Sequence, residues 1–277
     1  MKLSSLTEAQ NSEEYRQELS ENKFLELLKT KAKNSHLIAT KSPLFCQDKG
    51  ASLMLVTPKM HEERSSFWVD KLIKDIPAWK NMPSRSRFIK AYTQFDRTSQ
   101  GDDVYVMIPF DGTRIGVASS TSFYRSFLDF KNVTGFDKVD NKSLANWLNI
   151  ILKGLKEISN SDVYIIEPNT FIQFKQGLKN IDDILLSIDR TILRKNLRLN
   201  DTLDVIDRDI IKDLLTRHMT TSEKYLNEKL DPTNNGFYSS RIESFSDGTV
   251  DHEVWVDSPV LLIKRITYID MNKRGLL

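Results

Sequence analysis

Near its C-terminal end the chain reads Val250-Asp251-His252-Glu253-Val254-Trp255-Val256, and after Pro259 it continues as Val260-Leu261-Leu262-Ile263. The heptapeptide alternates in polarity, the period of a strand with two unlike faces. When it is extended, Val250, His252, Val254 and Val256 share one side. Asp251, Glu253 and Trp255 share the other, with like-facing neighbours about 7 Å apart. Two carboxylates and an indole together suit the wall of a cleft, where a carboxylate holds a ribose hydroxyl or stabilises a developing cation and an aromatic stacks on a ring. The plainer reading is an edge strand whose polar side faces water. The run from Val260 to Ile269 predicts a final strand.

These late strands need partners upstream. Candidates are His36 to Phe45, with Ser42-Pro43 near its end, Ala51 to Thr57 before Pro58, and Arg87 to Thr93. Asp103 to Phe110, the turn signal Asp111-Gly112 and Thr113 to Ala118 predict a hairpin, and Pro109 argues against a central place for it. Helical spacing predicts an amphipathic helix from Glu13 to Lys33 capped by Ser12, and another ending near Asp75 with Trp68, Val69, Leu72 and Ile73 on one face. The clearest helix runs from Ser143 to Ile158, with Leu144, Trp147, Leu148, Ile151, Leu152, Leu155 and Ile158 in one stripe. Val163 to Ile166 is a short apolar run that reads as a strand. Helices follow at about Ile181 to Leu197 and Thr202 to Met219, with a third through Tyr225 and Leu226. Asp231 to Thr249 reads as a long loop.

The order is helix, strands, helices, strands, without βαβ alternation or an internal repeat. It predicts an α+β class, with a mixed or antiparallel sheet that joins early to C-terminal strands and an inserted helical segment at about 141–230. Residues 12–277 read as one domain, and residues 1–11 as a polar tail or cleavable leader.

Composition narrows the function. The chain has 277 residues, 39% hydrophobic and 28% charged, which fits a globular protein whose core needs no disulfide or metal. Forty basic against 38 acidic residues leave a net charge of +2, which argues against a protein that mainly coats nucleic acid. Cys46 is the one cysteine, so no intramolecular disulfide forms and a reducing compartment fits; within Leu44-Phe45-Cys46-Gln47 it reads as a small, half-buried apolar residue, with a nucleophile as the other reading. No run reaches the roughly 18 apolar residues of a membrane span, so no membrane association is expected. There is no phosphate-cradling glycine loop, His-Glu-x-x-His or cysteine pair, and no metal is expected.

Two basic clusters stand out. Pro83-Ser84-Arg85-Ser86-Arg87-Phe88-Ile89-Lys90 can hold phosphate through arginine forks, or is a solvated loop before a strand. Arg190, Arg194, Lys195 and Arg198 lie near the end of a predicted helix, where the dipole accounts for them; a nucleic-acid surface is the other reading.

Three segments together resemble small proteins of T-even-type tailed phages that are themselves similar to mono-ADP-ribosyltransferases. They are His36-Leu37-Ile38-Ala39-Thr40-Lys41; Pro83 to Thr93 followed by Val104 to Phe110; and Asp251-His252-Glu253-Val254-Trp255-Val256. The resemblance spans roughly Ser35 to Ile269. It implies the ADP-ribosyltransferase fold and NAD as substrate, with ADP-ribose passed to a host protein or nucleic acid. It makes Glu253 the catalytic residue that binds ribose and stabilises the oxocarbenium-like transition state, and Asp251 the acceptor-side residue. His36 and Lys41 are the early-strand candidates for holding NAD, since that segment carries no arginine. Thr93 takes the middle-strand position, and Arg85 and Trp255 complete the NAD-binding candidates. Leu6-Thr7-Glu8-Ala9 resembles a prohead-protease site, which implies packaging in the virion head among capsid components as well as action in the host cytoplasm. A catalytically inactive virion or structural protein of the same fold, or a host-takeover binding protein, is the alternative.

Overall fold

Val260-Leu261-Leu262-Ile263 has no polar side, and a strand of that kind is stable only when both of its faces are covered. In the computed structural model it is an interior strand. The structure describes residues 16–58, 67–85, 87–94, 104–159, 167–217, 221–246 and 251–277. In chain order the elements are β1 (Arg16–Glu18), α1 (Glu21–Lys31), α2 (Lys33–Ala39), β2 (Leu44–Gln47), β3 (Leu53–Val56), α3 (Trp68–Ile73), β4 (Ile89–Tyr92), β5 (Val104–Pro109) and β6 (Arg114–Val117). There follow α4 (Leu128–Thr134), α5 (Asn141–Ser159), α6 (Phe171–Ser187), α7 (Arg190–Leu199), α8 (Val205–Arg217), α9 (Ser222–Lys229), β7 (Tyr238–Arg241), β8 (Glu253–Val256), β9 (Val260–Lys264) and α10 (Arg265–Lys273).

The fold is mixed α+β, and every strand pairing is antiparallel. The chain forms two compact units. The first comprises 1–64, 80–123 and 237–277, and the second 65–79 and 124–236. The helical segment expected at about 141–230 belongs to the second.

The first unit is built on one nine-stranded sheet of order β1-β3-β9-β5-β2-β4-β8-β6-β7. Early and late strands therefore interleave, as the sequence suggested. Alternation along β5 and β9 sends Tyr105, Met107, Val260 and Leu262 into one core. Val106, Ile108, Leu261 and Ile263 enter a second core, closed by Phe24 and Leu28 of α1, Ala39 of α2 and Met271 of α10.

Several local expectations give way. The predicted strand at His36 to Phe45 is a helix, α2, through Ala39, and the strand begins only at Leu44. The reason lies far along the chain. The Asp111 carboxylate accepts the N–H groups of Asn34 (3.2 Å) and Ser35 (2.8 Å) and the Ser35 hydroxyl (2.9 Å), capping a helix that has no local cap. The predicted hairpin is likewise absent. Asp111-Gly112 does turn the chain, with Gly112 at φ 77°, but β2, β4 and β8 lie between β5 and β6. The turn's polar groups are used elsewhere: Asp111 caps α2, and the Gly112 N–H donates to Glu243. Pro109 is tolerated in a central strand because it is the last residue of β5.

The predicted helix at Glu13 to Lys33 divides into β1, which edges β3, and α1, capped by Ser20 rather than Ser12; Ser12 lies outside the described residues, as do Val163 to Ile166. The long helix expected from Ile181 breaks where the Asp189 side chain caps α7. The 231–249 loop contains β7, and the last strand stops at Lys264 where α10 begins.

The second unit packs around α5, whose predicted stripe is buried throughout. Trp147 stacks on Tyr225 with centroids 6.0 Å apart, and Trp68 meets Phe174 at 5.0 Å. Lys229, only 1% exposed, lies 3.0 Å from Asp213 and 3.3 Å from Asp129.

Candidate functional site

The site is set by how β8 is held. On one side Ile89, Lys90, Ala91 and Tyr92 of β4 oppose Val256, Trp255, Val254 and Glu253. One residue further, Thr93 N–H donates to the His252 carbonyl (3.2 Å) and its hydroxyl accepts the His252 N–H (2.9 Å). On the other side the Glu253 N–H donates to the Ser120 carbonyl (3.0 Å) and its carbonyl accepts from Ala118 (2.9 Å). His252 Nδ1 is 2.9 Å from the Ala118 carbonyl. The backbone beneath Glu253 is thus fixed on both edges. The plain reading of an exposed edge strand is corrected: β8 is interior and all four of its residues are buried.

The Glu253 side chain points with Trp255, as alternation requires, and away from Val254 and Val256, which belong to the sheet core. Its Oε1 is 3.2 Å from Arg85 Nη1. Its Oε2 accepts the Phe123 N–H at 3.1 Å. Both members of the ion pair have side chains only 6% exposed. The Arg85 guanidinium lies between two rings, with Cζ 3.9 Å from the centroids of both Phe88 and Phe123, and 5.3 Å from that of Trp255. Phe237 closes the cage, 5.2 Å from Phe123. Trp255 Nε1 donates to the Pro83 carbonyl (3.0 Å) and Asp257 accepts the Ser84 N–H (2.8 Å), so the segment carrying Arg85 is pinned to β8 and its exit.

Cation–π contact, a bonded carboxylate and exclusion of water strengthen one another here, because each charge is worth more in a medium of low polarity. Burying the two charges is costly, and the cost is offset by the ion pair, the Phe123 N–H and the ring faces, while Arg85 Nε is buried with no hydrogen-bond partner. The result is a carboxylate with a fixed direction, facing a cation and flat aromatic surfaces.

The structure therefore brings Arg85, Thr93, Glu253 and Trp255 together, with Asp251 buried at the start of the same segment. It leaves His36 and Lys41 apart from them. His36 is on α2, which packs on β5, and β2 and β4 lie between β5 and β8 in the sheet. Burial holds its imidazole below the ordinary range. Lys41 is exposed just beyond that helix. Neither forms a hydrogen bond or ion pair with Glu253. Cys46 is buried in β2, and its burial, then the charge of Asp48, push the thiol far up, as suits an inert core residue. Among the described residues no group of three or more His, Cys, Asp or Glu is placed to hold a metal ion, and no helix is long and apolar enough to cross a membrane.

The sequence reading did not single out Phe88, Phe123 or Phe237. For Phe88 a signal existed, an aromatic three residues from a buried arginine. For Phe123 and Phe237 no local signal exists, since only the tertiary fold brings them to the site.

No family model, no curated protein and no solved structure matches the chain.

Proposed function

We propose that this chain is an ADP-ribosyltransferase-like protein whose centre is the Arg85–Glu253 pair. The observation that supports it is convergence. The middle and late segments of the resemblance, 168 residues apart at Arg85 and Glu253, meet in one buried constellation. In this reading Glu253 engages the ribose of NAD and stabilises positive charge as the glycosidic C–N bond breaks. Nicotinamide leaves with the bonding electron pair, and a nucleophile of the acceptor forms the new bond to the ribose carbon. Arg85 is the cation suited to the pyrophosphate, Thr93 fixes the strand that carries Glu253, Trp255 offers a ring face, and Asp251 lies toward the acceptor. The acceptor is a host protein or nucleic acid. NAD has to part the aromatic cover and replace Arg85 as the partner of Glu253.

A second reading has its own observation. Both Glu253 oxygens are already engaged, so the pair equally fits a protein of the same fold that has lost the chemistry and serves as a virion component or a binding protein.

One experiment separates them. The purified chain is titrated with NAD by calorimetry and incubated with labelled NAD and host lysate, beside Glu253→Gln. Saturable binding and label transfer that requires Glu253 support the transferase. A folded wild-type chain that binds no NAD at millimolar concentration moves the assignment to the non-catalytic protein.

A further inference from the structure

In the second unit, α7 and α8 form the walls of a cleft of about 390 Å³. That is the size of a small-molecule site. Four cations line it. Arg194 and Arg198 are one helical turn apart on α7, and Arg208 and Lys212 one turn apart on α8, with Leu197 and Thr216 completing much of the wall. Residues four apart lie on one face of a helix, so each helix presents a pair of cations to the same space.

Among the described residues none of the four is neutralised by an ion pair. Arg194 Nη2 donates instead to the Leu215 carbonyl at 2.7 Å. Arg208 Nη2 donates to the carbonyls of Asn200 (2.6 Å) and Leu203 (3.2 Å). Backbone carbonyls fix the direction of these guanidinium groups without cancelling their charge. Arg208 Nε is buried with no hydrogen-bond partner. One acid, Asp209, lines the same cleft. Four cations against one carboxylate leave a local excess that the near-neutral chain as a whole does not require. The helix dipole explains basic residues at the end of α7 but not the facing pair on α8.

We infer that this cleft is a site for a compact polyanion, a small molecule carrying two or more phosphate groups of nucleotide size. Guanidinium groups give forked hydrogen bonds to phosphate oxygens, and the lysine adds a point charge. The apolar wall at Leu197 suits the uncharged part of such a ligand. None of these residues belongs to the Glu253 constellation, so the inference stands apart from the proposed function.

The test uses the full chain and two probes, sodium tripolyphosphate and ATP, titrated at low ionic strength. Arg198→Gln and Lys212→Gln are the informative variants, because neither side chain forms a hydrogen bond or ion pair among the described residues. Saturable binding of both probes is expected, weakened about tenfold by each substitution with no change in the ligand-free melting temperature. Absence of saturable binding, or wild-type affinity in both variants, overturns the inference. Binding of a single-stranded oligonucleotide far more tightly than tripolyphosphate, at the same residues, also overturns it in favour of a nucleic-acid surface.

Discussion

Arg85 Nη1 and Glu253 Oε1 are 3.2 Å apart across 168 residues of chain, with the guanidinium carbon 3.9 Å from the ring centroids of both Phe88 and Phe123. Replacing Glu253 by Gln keeps the shape and removes the charge, leaving a buried guanidinium without its counter-ion. The expected loss is about 3–5 kcal/mol, read from urea unfolding. The double variant Arg85→Met/Glu253→Gln should recover most of it. A single variant as stable as the wild type would show that the pair does not hold the fold.

Gly116 stands opposite Trp255 in the β6–β8 ladder, and a Cβ there would come within 2.3 Å of the indole. Gly116→Ala should therefore displace the ring at a cost of about 1–3 kcal/mol, with a shift in tryptophan emission. Combining it with Trp255→Phe should cost less than the sum of the two single changes. Strict additivity would refute direct contact.

Lys229 sits between Asp129 and Asp213, and the Asp213 carboxylate also accepts the Tyr225 hydroxyl at 2.5 Å. Lys229→Met fills the space but leaves two partly exposed carboxylates without their cation. A loss of about 2 kcal/mol at neutral pH is expected, discounted from the fully buried case because water reaches both acids. Urea unfolding reads the loss, and a variant as stable as the wild type would show that the two ion pairs do not hold the unit together.

Asp111 reports on helix α2. Burial alone would raise its pKa, but the N–H groups of Ser35 and Asn34 and the Ser35 hydroxyl outweigh that and hold it below the ordinary value. A carboxyl whose pKa is depressed on folding stabilises the fold above its unfolded pKa, near about 3.9. That stability is lost as pH falls through the folded value. Asp111→Ala should cost about 1 kcal/mol at neutral pH, the usual effect of losing a helix cap, and the difference from wild type should vanish in strong acid. Amide exchange at Asn34 and Ser35 would localise it.

What could be read from the sequence was whatever local spacing decides. The α5 stripe is periodic from Leu144 to Ile158, about four turns, and every member of it is buried. The alternation around Glu253 correctly separates Glu253 and Trp255 from Val254 and Val256. Distant partners erased the rest. Nothing near His36 announces that a carboxylate 76 residues away will cap its helix. Nothing near Asp111-Gly112 says that three other strands will insert between the two it joins. The same holds for Arg85. Its charge marked it as an anion holder, but its actual anion, Glu253, became visible only once β4 and β8 were paired. Arg208 and Lys212 were overlooked because their meaning depends on a second helix facing them.

The order of the sheet also dictates a timetable. β8 and β9 are made last, yet each lies between strands made earlier. Until β8 is made, the described strands form only three separate pieces, β1 with β3, β5 with β2 and β4, and β6 with β7, and until β9 follows they still form two. The helical unit is complete by residue 236, so it can fold while the sheet still waits with open edges. The long-range pairings that close those gaps are slow to find, and during that interval the nascent chain is the form most in need of a chaperone. A frameshift or nonsense change between residues 250 and 260 would spare the helical unit and deprive the sheet of the strand or strands that join its pieces.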